Sequence, residues 1–310
     1  MLKRFVQKVG NMKGPFLLAV SGGVDSMCLA HLFLKAVGNQ GFAVAHCNFS
    51  LRDEESDGDE ALVTDWAYTH GVRLHVKRFD TRAYAAMSGL SIEMAARELR
   101  YRWFAALCEE NGYKVLAVAH NANDNAETLL LNLLRGTGLN GLACMSESSA
   151  IPYAGESDAV LYRPLLEFTR KQIEGYAFAE KLAYRNDSTN SSSEYRRNCL
   201  RNDVFPFFEK INPSFVRTLN RDVSYFSAAS GIVDQWCREQ AARVVDESGT
   251  VVSVSGLMEI PQWRYLLYYI LSPFGFNSQV LESVENLLAS GRTLSGKRFE
   301  SATHVLHTGR

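Results

Sequence analysis

Short apolar runs alternating with longer amphipathic stretches are the feature that most limits what this chain can fold into. Residues 16–20 (FLLAV), 42–47 (FAVAHC), 72–79, 114–120 (KVLAVAH) and 159–162 read as strands. Residues 25–36, 60–69, 91–110, 124–134 and 169–181 read as the helices that follow them in turn. Runs that are apolar almost without a break suit strands covered on both faces, which is the situation of a parallel sheet built from βαβ units. The expected fold class is therefore α/β, a doubly wound parallel sheet. In such sheets ligands bind beyond the carboxyl ends of the strands, so the residues just after each apolar run are where chemistry is expected.

The pattern changes near residue 215. Residues 226–244, 261–271 and 279–288 read as helices, with no further strand–glycine–helix alternation. At 310 residues the chain has room for two domains, and we expect an α/β domain over 1–215 and a smaller, mainly helical C-terminal domain over 216–310. The segment DSTNSSS at 187–193 reads as a polar surface loop.

Composition removes several classes. A 46% hydrophobic, 22% charged chain is not disordered. The longest apolar stretch, 263–276, is interrupted by Arg264, Ser272 and Pro273, so no spanning helix and no membrane partner are expected. The start, MLKRFVQKVG, lacks the apolar core of a signal peptide, which makes a cytoplasmic location the expectation. A net charge of −1 means that any nucleic-acid surface must be locally basic. Cys28, Cys47, Cys108, Cys144, Cys199 and Cys237 form no Cys-x-x-Cys pair, so they read as small buried thiols rather than cluster or zinc ligands.

The first strand runs into Ser21-Gly22-Gly23-Val24-Asp25-Ser26. Two glycines let backbone amides approach an anion, and the following helix turns its unpaired N–H groups to the same spot. This suits a diphosphate. A carboxylate there, Asp25, is consistent with Mg²⁺ bridging it to phosphate. A tight turn capped by Asp25 or Ser26 would explain the same residues in structural terms. No Gly-Lys-Ser/Thr follows, so the loop is not of the Walker A kind.

The fourth strand ends in His120-Asn121-Ala122-Asn123-Asp124-Asn125-Ala126-Glu127-Thr128. Asp124 and Glu127 stand three apart at a helix start and can face one side. They could hold Mg²⁺ or a cationic substrate, or form a capping box with Asp124 as the cap. Spacing alone leaves both readings open. His120 could be catalytic or a hydrogen-bonded structural residue. Arg135, before Gly136-Thr137-Gly138, could meet phosphate or complement the helix end.

Taken as an ordered set, these strings resemble the tRNA(Ile)-lysidine synthetases, a family of PP-loop N-type ATP pyrophosphatases. That family carries SGGxDS, a HxxDDxxET segment and an RG-rich turn. The resemblance extends to His46-Cys47-Asn48 with Leu51-Arg52 and Glu55-Ser56-Asp57, and to Ala95-Ala96-Arg97-Glu98-Leu99-Arg100-Tyr101. It continues in Arg163-Pro164-Leu165-Leu166, in Asp187-Ser188-Thr189-Asn190 with Arg197-Asn198-Cys199-Leu200-Arg201, and in Gly296-Lys297-Arg298-Phe299-Glu300-Ser301 with Thr303-His304. Two departures stand out: Asn123 where the family often has Asp, and Ser50 where it often has His. Longer members continue beyond the last segment, so a 310-residue chain reads as a short or truncated form.

The resemblance implies ATP-dependent ligation of L-lysine to the wobble cytidine of tRNA(Ile) with a CAU anticodon, giving lysidine, AMP and pyrophosphate. It implies ATP and Mg²⁺ at Ser21, Gly22, Gly23, Val24, Asp25 and Ser26, with Asp25 and Asp124 as metal ligands. It implies catalytic roles for Asp25, Asp124, Glu127, His120 and Arg97. Lysine would meet Asp124 and Glu127, while Arg100, Arg135, Arg197 and Arg201 would contact the substrates. Arg185, Arg196, Arg217 and Arg221, with Tyr184 and Tyr195, offer further tRNA contacts. The alternatives are a cytidine thiolase of the same superfamily, for which a cluster-holding cysteine pair is missing, and a non-catalytic tRNA-binding protein.

Overall fold

The computed structural model describes residues 1–51, 54–155, 157–185, 192–290 and 296–309. Arg52 and Asp187 to Asn190 of the motifs above lie outside the described residues, as does the Tyr195 side chain. The chain divides into two compact units, 1–227 and 228–310. We propose 1–215 and 216–310 as the functional domains; the expected boundary falls inside the first compact unit.

The first unit opens with α1 (Leu2–Val9), β1 (Phe16–Ala19), α2 (Val24–Val37), β2 (Phe42–Asn48), α3 (Glu54–His70) and β3 (Arg73–Arg78). It continues through α4 (Thr81–Ser88), α5 (Ile92–Asn111), β4 (Val115–Ala117), α6 (Ala122–Arg135), α7 (Leu139–Leu142), β5 (Ser148–Ala150), β6 (Val160–Tyr162) and α8 (Arg170–Ala179). Next come α9 (Ser192–Cys199), a π-helical turn (Leu200–Val204), α10 (Phe205–Ile211) and the first part of α11 (Phe215–Val244).

The six-stranded sheet has the order β3-β2-β1-β4-β6-β5. All neighbours are parallel except β5 with β6. The expected parallel sheet is present, with one short antiparallel edge strand that its serine-rich sequence does not announce. Strand alternation splits β1 between two cores. Phe16 and Leu18 join Phe33, Val44 and Phe168 on the face covered by α1, α2, α3 and α8. Leu17 joins Ala43, Tyr101, Phe104 and Leu116 on the face covered by α5. With both faces buried, every position in FLLA must be apolar, which is why the run has no polar break.

Local chemistry sets the helix ends. Ser91 accepts the Met94 N–H (3.2 Å) at the start of α5, and Gly112 closes it at φ +71°. In this unit helices α1, α4, α7, α9 and α10 are additions to the sequence reading; α1 carries Leu2, Phe5, Val6 and Val9 at i, i+3, i+4 and i+7 and buries Phe5 and Val9.

In the second unit the rest of α11 is followed by α12 (Val254–Met258), α13 (Trp263–Leu271), α14 (Ser278–Ala289) and a hairpin of β7 (Arg298–Glu300) and β8 (Val305–His307). Trp263, Leu266, Leu267 and Leu271 form one stripe of α13, packed with Cys237, Leu257 and Val284. The unit is mainly helical, as expected, but the hairpin was not foreseen. Its turn uses the Ser301…His304 motif: Ser301 Oγ accepts the His304 N–H (2.9 Å) and donates to the Phe274 carbonyl (2.7 Å). Among the described residues no helix is long and apolar enough to cross a membrane.

Candidate active site at the switch point of the sheet

Strand β1 has β2 on one side and β4 on the other, so the connections leaving β1 and β4 diverge and open a crevice between them. The two motif-bearing loops lie there because the topology brings them together, although about a hundred residues separate them in the chain.

In the first loop Gly22 takes φ +96°, which favours glycine. Its carbonyl accepts the Arg185 N–H (3.0 Å), and Arg185 Nε donates to Asp59 (3.0 Å). Arg185, a candidate tRNA contact in the sequence, thus braces the loop. Ser26 Oγ accepts the Ser21 N–H (3.1 Å) and donates to the Gly23 carbonyl (2.9 Å), clasping the loop across its base. Neither Asp25 nor Ser26 caps α2. Gly23 is the N-cap, with no side-chain acceptor, so the first amides of α2 remain available to an anion.

In the second loop the cap is also not the one the spacing suggested. Asn121 caps α6, accepting from the Asn123 and Asp124 N–H groups (2.9 and 3.2 Å), and Asp124 accepts the Asn121 N–H (2.9 Å). The capping box is Asn121-x-x-Asp124, nearly one turn earlier than the Asp124-x-x-Glu127 alternative. That leaves Glu127 free of capping. It is 1% exposed and forms a bidentate pair with Arg201, whose Nη2 meets Glu127 and Asp124, each at 3.0 Å. Burial pushes the Glu127 carboxyl above its ordinary range, and Arg201 opposes that rise.

The loops are joined through Asp25. Its carboxylate accepts from Asn121 Nδ2 (3.1 Å) and pairs with Arg170. Burial raises its pKa to about 6, against the pull of Arg170 and with a push from Asp124. Arg170 opens α8, where Asn123 Oδ1 accepts its backbone N–H (2.9 Å) and Glu174 accepts from its Nε (2.8 Å). Asn123 therefore ties the start of α6 to the start of α8. The sequence reading missed Asn121 and Arg170. The available signal was Thr169-x-x-Gln172, which forms a capping box and fixes Arg170 as the first helical residue.

Two cavities flank these residues. A cleft of about 840 Å³ is lined by Asp124, Glu127, Arg170 and Arg201, with Arg217 at its border. A smaller cavity of about 350 Å³ holds Ser21, Gly23, Asp25, Ser26, Arg100 and His120 beside Phe49, Tyr101 and Phe104. Arg100 stacks over the Phe49 ring and Arg97 over Tyr101, at 5.1 and 5.0 Å from the ring centres. Arg197 is exposed on α9, near enough to Glu127 to lower its pKa. Arg135 is exposed at the far end of α6 and lines neither cavity.

His120 has a buried Nδ1 with no partner among the described residues, and burial lowers its pKa to about 4. It is neutral at pH 7. Below the unfolded value of about 6.5 the unfolded chain binds a proton that the folded chain refuses, so this group's contribution falls as pH drops from about 6.5 to 4. The raised Asp25 works in the opposite sense over part of that window. Comparing wild type with His120→Asn isolates the histidine. The variant is expected to lose about 2–4 °C less in Tm between pH 7.5 and 5. Equal losses would contradict the assignment.

Residues 1–208 match the PP-loop domain, and residues 245–310 match the TilS substrate-binding domain. A tRNA(Ile)-lysidine synthase from Parabacteroides distasonis is 40% identical over 292 residues, covering 94% of this chain and 63% of that protein. One from Porphyromonas gingivalis is 39% identical over 297 residues, covering 94% of this chain and 61% of that protein. The chain thus spans about three fifths of the length of these relatives. A tRNA(Ile)-lysidine synthase from Chlorobaculum tepidum is 33% identical over 324 residues, covering 99% of this chain and 94% of that protein. Among solved structures, a tRNA thiolase from Methanococcus maripaludis superposes with a TM-score of 0.59 at 18% identity, covering 73% of this chain and 78% of that one, which is a likeness of fold. A PP-loop match over two thirds of the chain, with relatives of one name along nearly all of it, places the protein in the tRNA(Ile)-lysidine synthase family of PP-loop proteins.

Proposed function

We propose that this chain ligates L-lysine to the wobble cytidine of tRNA(Ile) bearing a CAU anticodon, at the expense of ATP. The observation that carries this reading is the convergence of an uncapped helix start at Gly23 with two arginine-paired carboxylates, half-buried Asp124 and buried Glu127. One half suits a polyphosphate and the other a cationic amine. In the first step the cytosine C2 oxygen attacks the α-phosphorus and pyrophosphate leaves. The amides from Ser21 to Ser26 stabilise the leaving charge without a protein nucleophile. In the second step lysine, bound as its ammonium, gives up a proton to water, the neutral ε-amine attacks C2, the C2–O bond breaks and AMP leaves, which requires the amine to be held in one pose. Asp124 and Glu127 supply the charge for that. The aromatic walls of the smaller cavity, Tyr101 and Phe104, suit the adenine.

The donor set fits a magnesium ion. Asp25 and Asp124 are close enough for the Asp124 charge to add to the rise that burial imposes on the Asp25 carboxyl. Magnesium is commonly held by one or two carboxylates together with substrate phosphates, so a cage of three protein ligands is not required. When bound, the ion would neutralise charge on the departing pyrophosphate. Exposed Arg196, Arg197, Arg217 and Arg221, with half-exposed Tyr184, suit the tRNA backbone and its unpaired bases.

The test is AMP release from ATP with lysine and a CAU-bearing tRNA(Ile) transcript at one fixed salt concentration. Release is expected only when lysine and the wobble cytidine are both present. Lysine-independent release, or equal release with another wobble base, would contradict the proposal.

A further inference from the structure

We infer that Arg170 is a ligand of the nucleotide's β- and γ-phosphates, held on Asp25 until the nucleotide arrives. The inference rests on the reading of the site as an ATP site.

Its position is set from three directions. The Arg170 backbone N–H is held by Asn123 Oδ1 (2.9 Å), its Nε by Glu174 (2.8 Å), and its Nη1 is aimed at Asp25, the second residue of α2. Among the described residues its Nη2 meets no protein acceptor, and the side chain remains 39% exposed in the larger cleft. Two of its three nitrogens are therefore anchored, while Nη2 is left beside Asp25, the residue that follows the first free amide of α2. A planar fork of this kind matches phosphate oxygens in a way an ammonium cannot.

The charges give the arrangement a second use. Among the described residues Asp25, Asp124 and Glu127 form ion pairs with two guanidinium groups, Arg170 and Arg201. When Asp25 turns to a metal-bound polyphosphate, Arg170 loses its acceptor beside a new anion. The phosphate then replaces the carboxylate as its partner, with no rearrangement of α8.

The experiment is calorimetric binding to the full chain, with Mg²⁺ present, of α,β-methylene ATP and separately of AMP. The methylene analogue keeps all three phosphates and cannot be cleaved between the first two. Arg170→Met is expected to weaken the analogue about tenfold to a hundredfold. Arg170→Gln, which can still donate to Asp25, is expected to weaken it as much, and Arg170→Lys to restore part of the affinity. AMP affinity is expected to stay within about twofold of wild type in every variant. Wild-type affinity in Arg170→Gln would overturn the inference, because Arg170 would then serve only to pin Asp25. Parallel loss for AMP would overturn it too, placing Arg170 at the α-phosphate. If Arg170→Met does not fold, Arg170→Gln decides by itself. Failure of wild type to bind the analogue would instead overturn the ATP reading of the site, and the inference with it.

Discussion

Replacing Arg201 with methionine is expected to lower stability by about 3 kcal/mol and to reduce lysine-dependent AMP release by at least about a hundredfold. The two effects have separate causes. Glu127 is almost fully buried, and Arg201 is its bidentate partner. Removing one member of a buried pair leaves a charge in a medium that solvates it poorly, which costs more than the pair itself contributes. The lower end of the usual range applies because Arg201 is 44% exposed and water can enter after truncation. Activity falls because the same guanidinium fixes both Glu127 and Asp124, and an unfixed carboxylate cannot hold the amine in line. Adding Glu127→Gln to the Arg201→Met background is expected to recover most of the lost Tm and none of the activity. Thermal melting with the AMP-release assay checks both arms. An unchanged Tm in the single variant would show that Glu127 is not a buried charge needing this partner.

Gly22→Val is the second large effect, and Gly23→Ala is its internal control. Gly22 sits at φ +96°, so a β-branched side chain strains the backbone by about 1–3 kcal/mol. The space itself is nearly sufficient, since an added Cβ would stand 3.4 Å from that of Asp59. Relief of the strain would turn the peptide planes of the phosphate loop. Loss of one aligned donor to a developing anion is worth about 10²–10³ in rate, and that is the expected fall in AMP formation. Gly23 is at φ −74°, an ordinary angle, and an added Cβ would meet only Ser21 Oγ at 3.7 Å. Gly23→Ala is expected to change stability by less than about 0.5 kcal/mol. Equal losses of stability in the two variants would mean that the positive φ at Gly22 is not what the site depends on.

How much of this was legible beforehand depended on the kind of signal. The strand reading announced β1, β2, β3, β4 and β6, most clearly where burial on both faces makes the run largely apolar; β3 is an edge strand with mixed exposure. It did not announce β5, whose Ser148 and Ala150 are exposed, or the hairpin after α14, where only Phe299 and Leu306 turn inward. Asp25, Asp124, Glu127 and Arg201 were all candidates from their strings. The relation of Glu127 to Arg201 was not, because a contact across 74 positions has no period to betray it. The Asp124-x-x-Glu127 spacing was equally good as a cap and as a substrate pair. The observation that Asn121 takes the cap removes Asp124 as N-cap, places it at N3 of the box and leaves Glu127 outside the box.

The sequence by itself determined the strand–loop–helix grammar, the glycines of the phosphate loop and the ordered strings that mark the family. These are local matters, settled by backbone freedom and by the periodicity of burial. Tertiary structure alone decided which charges meet. Arg170 lies on Asp25, Arg201 on Glu127, and Arg185 under Gly22 because a parallel sheet gathers the carboxyl ends of its strands on one edge. Ion pairing depends on distance and burial, and neither is written in the spacing of residues along the chain.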